Sequence, residues 1–486
     1  MKINFRKKKK IILISIIVIL ILVGLFNIFK PLPIGVSSSG EIFKVPNDSV
    51  TFISDLTFFD NTIDDRIINQ NIFDEVFAMI KNAEKYILID MFLFNDFQGK
   101  ENVSFRKLSS ELTEILIQKK IDNPEINIIF ITDPINSIYG YFENQNINKL
   151  LDVNIQVVNT NLKKLRDSNP LYSSIYRPFL QFLPVGLIKL PNPFTNDGSK
   201  VSLKAYFTLL NFKANHRKII VTDYIDINGD LKMSSLVTSA NPHDGSSAHS
   251  NVAIKINDYI WKDILKSEYA VIDFSNYAIL HPDYKLYKDE EGDVEVQILT
   301  EKKIQTSLLN SINKTESGDS IDVMMFYLSD REVVKSLKMA QARGVNVKVI
   351  LDPNKDAFGR KKNGVPNVAV AREFKKNSND FQLRWCNTHG EQCHSKLIII
   401  SRNDFEEMFI GSANLTKRNI GDYNLETNIK ISGKGVSAIK DAKEYFNLAW
   451  SDESEKYTTG YDFYKDESLW KYLQYRVMEK TGLSSF

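Results

Sequence analysis

The segment Asn215-His216-Arg217-Lys218-Ile219-Ile220-Val221-Thr222-Asp223 sets an imidazole beside an ammonium and closes on a carboxylate. On a strand, residues two apart project from one face, so His216 and Lys218 point the same way. An ammonium holds an anion, and a neutral imidazole attacks phosphorus or carries a proton. The pair is therefore a candidate phosphate site. A near-copy, His394-Ser395-Lys396, stands before Leu397-Ile398-Ile399-Ile400. Each copy is followed by a small polar stretch. Thr238-Ser239-Ala240-Asn241 follows the first and Gly411-Ser412-Ala413-Asn414 the second. The Ser and Asn side chains suit contact with phosphate oxygens.

The elements around the motifs repeat as well. Ile72 to Ala83 has helical periodicity, Tyr86 to Phe94 reads as a buried strand, Phe105 to Lys120 as a helix, and Asn127 to Asp133-Pro134 as a second strand. In the second half the same order runs through Ile304 to Ile312, Ile321 to Asp330, Glu332 to Arg343 with Gly344 as terminator, and Val345 to Asp352-Pro353. After each motif comes a further strand. Aligning Ile254-Lys255-Ile256 with Ile429-Lys430-Ile431 sets Asn251 opposite Glu426. The expected fold is α/β, with two similar α/β sandwich units packed about a pseudo-twofold axis, both motifs at the seam, preceded by one N-terminal transmembrane helix. Strand-helix-strand order points to parallel pairing within each unit.

With these motifs in place, the chain resembles the phospholipase D superfamily over about residues 50 to 450. That family carries two His-x-Lys-x4-Asp motifs, each followed by Gly-Ser-x-Asn. Gly411 to Thr416 with Glu426 downstream is similar to the bacterial branch with cardiolipin-synthase-like enzymes. The resemblance implies phosphodiester cleavage or transfer with no metal and no cofactor, through a phosphohistidine. By position, His216, Lys218, His394 and Lys396 are the catalytic candidates. Asp223, Ser239, Asn241, Ser412, Asn414 and Glu426 are the phosphate-binding and supporting ones. His216, whose motif is complete, is the expected nucleophile and His394 the acid and base, although the sequence does not fix that order. Three positions depart from the pattern: Ser401 where the second motif would have Asp (with Asp404 as a possible replacement), Thr238 where Gly is usual, and Asn251 where the other half has Glu426. If Glu426 orients a histidine across the seam, only one histidine has a carboxylate partner.

The amino terminus sets a basic cluster, Lys2, Arg6 and Lys7 to Lys10, before an apolar run from Ile11 to Phe29. Nineteen helical residues span about 28 Å, close to the hydrocarbon thickness. The cluster is expected to stay cytoplasmic, with the catalytic body on the extracytoplasmic side. The expected domains are a cytoplasmic basic tail 1–10, a transmembrane anchor 11–29, a stalk 30–48, a first unit 49–280, a linker 281–300 and a second unit 301–486. Between Asn159 and Ala214 the alternation lapses. Tyr176 to Pro191 is apolar, aromatic and broken by prolines, and either packs over the core or dips into a lipid interface. His243, His249, His281 and His389 do not repeat and read as surface or loop positions, with His243 and His249 close enough to Ser239 to touch substrate. Asp133 and Asp352 read as strand terminators, with a place at the rim of the cleft as the alternative. Cys386 and Cys393 form a possible disulfide closing the loop before His394.

A formal charge of +2 on 486 residues does not suggest a protein that coats nucleic acid. The first function expected is a membrane-anchored phosphodiesterase or phosphatidyltransferase with a phospholipid partner. A nuclease of the same chemistry is the alternative, with nucleic acid the less favoured partner, and a catalytically decayed binding protein is a third. Head group, acceptor and oligomeric state are not readable.

Overall fold

The computed structural model describes residues 5–60, 62–99, 105–186, 188–195, 198–279, 292–357, 360–377 and 381–484. Most of the 281–300 linker, with His281, lies outside the described residues.

Two large sheets repeat one order of strands. The first runs Asp65–Asn69, Val50–Asp60, Asn251–Ile256, Leu231–Thr238, Lys218–Ile225, Tyr86–Met91, Asn127–Thr132 and Gln156–Asn159. The second places Val294–Thr300, Thr427–Lys434, Phe405–Gly411, Lys396–Arg402, Ser320–Met325, Asn346–Leu351 and Gln382–Cys386 in the matching order. The registers agree in detail: Met91 lies opposite Lys218, and Met325 opposite Lys396. Pairing is parallel only from Tyr86–Met91 to Gln156–Asn159 and over the equivalent strands of the second sheet. The motif strands and those beyond them run antiparallel, as hairpins allow. The sheets are therefore mixed, not purely parallel.

One apolar core joins the units. Leu88, Val221 and Ile254 of the first sheet share it with Leu397, Met408 and Ile431 of the second, together with Ile264 and Phe446 from the helices Trp261–Phe274 and Ser437–Trp450. Separate cores under Ile72–Asn82 and Leu108–Asp122 on one side, and under Lys302–Asn313, Arg331–Ala342 and Asn367–Asn377 on the other, cover the remaining faces. Four of these helices follow the expected segments closely; Asn367–Asn377 was not expected. The helix Arg331–Ala342 ends at Gly344, whose φ of +89° favours a residue without a side chain.

Phe5–Phe29 is one helix, and among the described residues its Lys7–Phe29 stretch is the one long and apolar enough to cross a membrane. Residues 30–48, expected as a stalk, do not hang free. Ser39 bridges to Leu299, and Phe43–Val45 adds an edge strand to the second sheet against Val294–Val296. Edge backbone groups with no partner attract a strand wherever one is in reach, and this segment supplies it. The irregular 159–214 region folds into short helices, Pro170–Tyr176 and Leu203–Leu209, and a hairpin of Lys189–Pro191 with Lys200–Ser202.

Candidate active site

Both His-x-Lys motifs open onto one cavity of about 590 Å³ whose walls include His216, Asn241, His394 and Asn414. Each histidine sits just before its strand and is fixed by the opposite unit. His216 N donates to Leu425 O at 2.9 Å, and His394 N donates to Ser250 O at 2.8 Å. The residue before each histidine is clamped from its own unit. Asn215 N donates to Asp133 Oδ2 at 2.7 Å, and Cys393 N donates to Asp352 Oδ2 at 2.8 Å. Asp133 and Asp352 are thus buried anchors of the two histidine turns, a role beyond ending strands.

The crossing of partners continues at the side chains. His216 Nδ1 lies 2.8 Å from Glu426 Oε1, while His394 Nδ1 lies 3.1 Å from Asn251 Oδ1. Ser412 Oγ donates to Glu426 Oε2 and accepts from Thr427 N, and Asn419 Nδ2 also donates to Glu426. In the other half, Ser239 Oγ donates to Asn251 Oδ1 at 3.0 Å and accepts from Val252 N. Both serines, expected among the phosphate-binding and supporting groups, hold the partners of the histidines. Asn414 and Asn241 are the members of the Ser-Ala-Asn stretches that line the cavity, and Asn414 Oδ1 is buried with no hydrogen-bond partner among the described residues.

Lys218 Nζ donates to the His216 carbonyl at 2.8 Å, and Lys396 Nζ to the His394 carbonyl at 2.7 Å. Each ammonium stands 5.2 Å from the centroid of a phenylalanine ring, Phe92 for Lys218 and Phe326 for Lys396. The same rings sit 4.7 Å from His216 and 4.8 Å from His394. Phe92 and Phe326 were missed in the sequence; each directly follows the strand that pairs with its motif.

The electrostatics favour an incoming anion. Burial pushes Lys218 down to about 7 and lowers Lys396 well below the usual lysine range. Burial, then the neighbouring ammonium groups, lowers His216 and His394 well below the ordinary histidine value. Burial pushes Glu426 up to about 8, so His216 and Glu426 meet as a hydrogen bond more than as separated charges.

Two further histidines are not surface residues. His243 and His249 are buried and line the same cavity, and the His249 ring is 5.9 Å from that of His394. His389 stacks on Phe59 outside it. Cys386 and Cys393 are joined in a disulfide directly before His394.

The departures have local causes. Asp223 accepts backbone N–H bonds from Glu84, Lys85 and Tyr86. In the second half the equivalent turn is satisfied by carbonyls: Gly318 N donates to Gly344 O and Asp319 N to Glu316 O. Two of the N–H groups that an Asp at 401 would serve are thus already paired, and Asp404 lies exposed against Lys434. Thr238 uses its hydroxyl to accept from Ala240 N and donate to Val252 O. Gly411 has φ +156°, and a Cβ there would lie 2.3 Å from Thr427 O.

Residues 308–450 match the family model described as cardiolipin synthase, PLD-like domain. That stretch covers most of the second unit and is similar to a phospholipase D-like domain. A solved structure of phosphatidylserine synthase from Haemophilus influenzae Rd KW20 shares its fold with this chain, with a TM-score of 0.58 at 11% identity over 94% of this chain and 99% of that one. The polyphosphate kinase of Porphyromonas gingivalis aligns at 12% identity over 83% of this chain and 47% of that one, with a TM-score of 0.47. Nuc from Salmonella typhimurium, a phospholipase D family member, aligns at 23% identity over 34% of this chain and 97% of that one, with a TM-score of 0.27. A comparison with curated proteins finds no match. His394, Lys396, Asn414 and Glu426 lie within the matched residues 308–450; their counterparts come from the first unit.

Proposed function

We propose that the protein is a membrane-anchored phosphodiesterase or phosphatidyltransferase acting on phospholipid head groups. The observation that carries the reading is the meeting of two His-Lys half-sites in one cavity that combines cationic side chains, among them Lys213, Arg360 and Arg418, with an apolar stretch of wall. Phe92, Phe97, Phe194, Leu209 and Phe212 line it beside the histidines. A phosphodiester with an acyl-bearing side suits such a mixture.

His216 Nε2 attacks phosphorus, forming the P–N bond as the bond to the leaving oxygen breaks. Glu426 at Nδ1 fixes the tautomer and balances the positive charge that the ring gains. His394 gives its proton to the leaving oxygen. It then takes a proton from water or an alcohol, which attacks phosphorus and releases His216. A neutral amide at its Nδ1, Asn251, leaves His394 more acidic than a carboxylate would, which suits a proton donor. Lys218, Lys396, Asn241 and Asn414 hold the equatorial oxygens.

The test uses the full chain in mixed micelles beside His216→Ala, without added metal, with phospholipid in one tube and single-stranded oligonucleotide in another. Mass spectrometry reads the products. Phosphatidic acid or a new phosphatidyl ester, absent in the variant, is the expected result. A shortened oligonucleotide with untouched lipid would replace the reading by a nuclease.

A further inference from the structure

The apolar helix is not tethered loosely to the body. Its last turns lie against Pro170–Tyr176, close enough that a Cβ on Gly24 would sit 2.6 Å from Pro170 O. Asn27 O accepts from Asp167 N at 2.9 Å, Arg166 Nε donates to Lys30 O at 2.8 Å, and Lys30 Nζ donates to Lys163 O at 2.8 Å. This register fixes a depth. Gly24 lies five residues before Phe29, where the apolar stretch ends. Five helical residues rise about 8 Å, within the roughly 5–10 Å to which interfacial helices sink.

The segment beside it is built for that position. Leu171, Phe179, Phe182 and Val185 are 68%, 55%, 73% and 62% exposed, and Ile175 and Ile188 are half-exposed. A soluble surface rarely gathers so many apolar side chains on one short stretch. Its other face is held. Tyr172 Oη donates to Phe207 O, and Tyr176 Oη meets Thr208 Oγ1 at 3.3 Å, so the stretch packs on Leu203–Leu209. That helix leads to Leu209 and Phe212 in the cavity wall.

We infer that residues 171–186 are a second membrane contact, sunk into the leaflet beside the apolar helix, and that their inner face brings bilayer lipid to the cavity. The delivery step rests on the phospholipid reading above; the insertion does not.

The experiment places a single thiol at Phe182 (Phe182→Cys) or at Leu171 (Leu171→Cys) in the full chain, with Cys386 and Cys393 paired. Ile227→Cys, at a fully exposed turn, is the control. Each is labelled with bimane and reconstituted into vesicles with or without brominated acyl chains. The Phe182 and Leu171 probes are expected to lose at least half their emission to brominated lipid while the Ile227 probe is unchanged. Equal quenching at all three positions, or none at Phe182 and Leu171, would overturn the insertion whatever the enzyme's substrate. Delivery is tested with Phe179→Ser/Phe182→Ser/Val185→Ser. Turnover of bilayer lipid should fall at least tenfold, with turnover of a short-chain, monomeric phosphodiester retained. An equal fall on both substrates would overturn delivery and leave the quenching result standing.

Discussion

His216 draws its carboxylate partner from the other half of the chain: its Nδ1 lies 2.8 Å from Glu426 Oε1. Glu426→Gln keeps the shape but loses the charge that steadies a positive imidazole. A drop in kcat of about 10²- to 10⁴-fold is expected, in the range seen when a histidine loses its orienting carboxylate. With a substrate whose leaving group needs no proton, His394→Ala should accumulate a phosphoryl adduct on His216, detected by mass spectrometry of the intact chain. An adduct on His394 in His216→Ala would reverse the assignment.

Asn251→Asp would give His394 the carboxylate it lacks. An adjacent negative charge raises a histidine's pKa. A general acid works while protonated, so the alkaline limb of the kcat profile should move up by about one pH unit. A profile that stays in place would mean that His394 is not the proton donor.

Lys218 is buried at a cost in stability. Its value of about 7 in the fold lies below the unfolded 10.5. The cost of the buried ammonium is therefore full below pH 7 and fades as pH rises from 7 toward 10.5. Lys218→Met should abolish turnover and raise stability at pH 7 by about 1–3 kcal/mol. The wild type should gain on the variant over that alkaline window, read from denaturant unfolding at several pH values.

Asp223 and Ser401 occupy equivalent positions with unequal duties. Asp223→Ala strips an acceptor from three backbone N–H groups and should cost about 2–4 kcal/mol. Ser401→Asp should change stability by less than about 0.5 kcal/mol and leave activity alone, because two of the matching N–H groups, those of Gly318 and Asp319, already have carbonyl partners. A gain in activity in Ser401→Asp would show that this turn limits the second half-site.

The Cys386–Cys393 bridge spans a sequence separation of 7. A loop that short is worth about 2–3 kcal/mol in chain entropy. Cys386→Ser/Cys393→Ser should lower Tm by several degrees, and reductant should do the same to the wild type alone.

Much of this arrangement was legible in the residues. The repeated His-x-Lys strands, their order and the alignment of Asn251 with Glu426 all rest on local patterns that survive folding. The rest depends on contacts between distant segments. Nothing near Phe43 announces an edge strand for a sheet that begins beyond residue 290, and its capture depends on an open edge. His243 and His249 look like loop histidines because their loop is polar, yet the second unit covers it: Gln392 N donates to His249 Nδ1. Asp133 and Asp352 read as turn residues, since their bonds to Asn215 and Cys393 span 82 and 41 positions.

The exchange of partners across the seam also bears on how such a chain can change. In a homodimer built from one unit, symmetry would force the same residue into both cross-seam positions, so both histidines would be equally basic. Joined in one chain, the two positions are separate letters of the sequence. Position 251 can hold an amide and position 426 an acid, and two inherited copies of one histidine can divide the labour of attack and protonation.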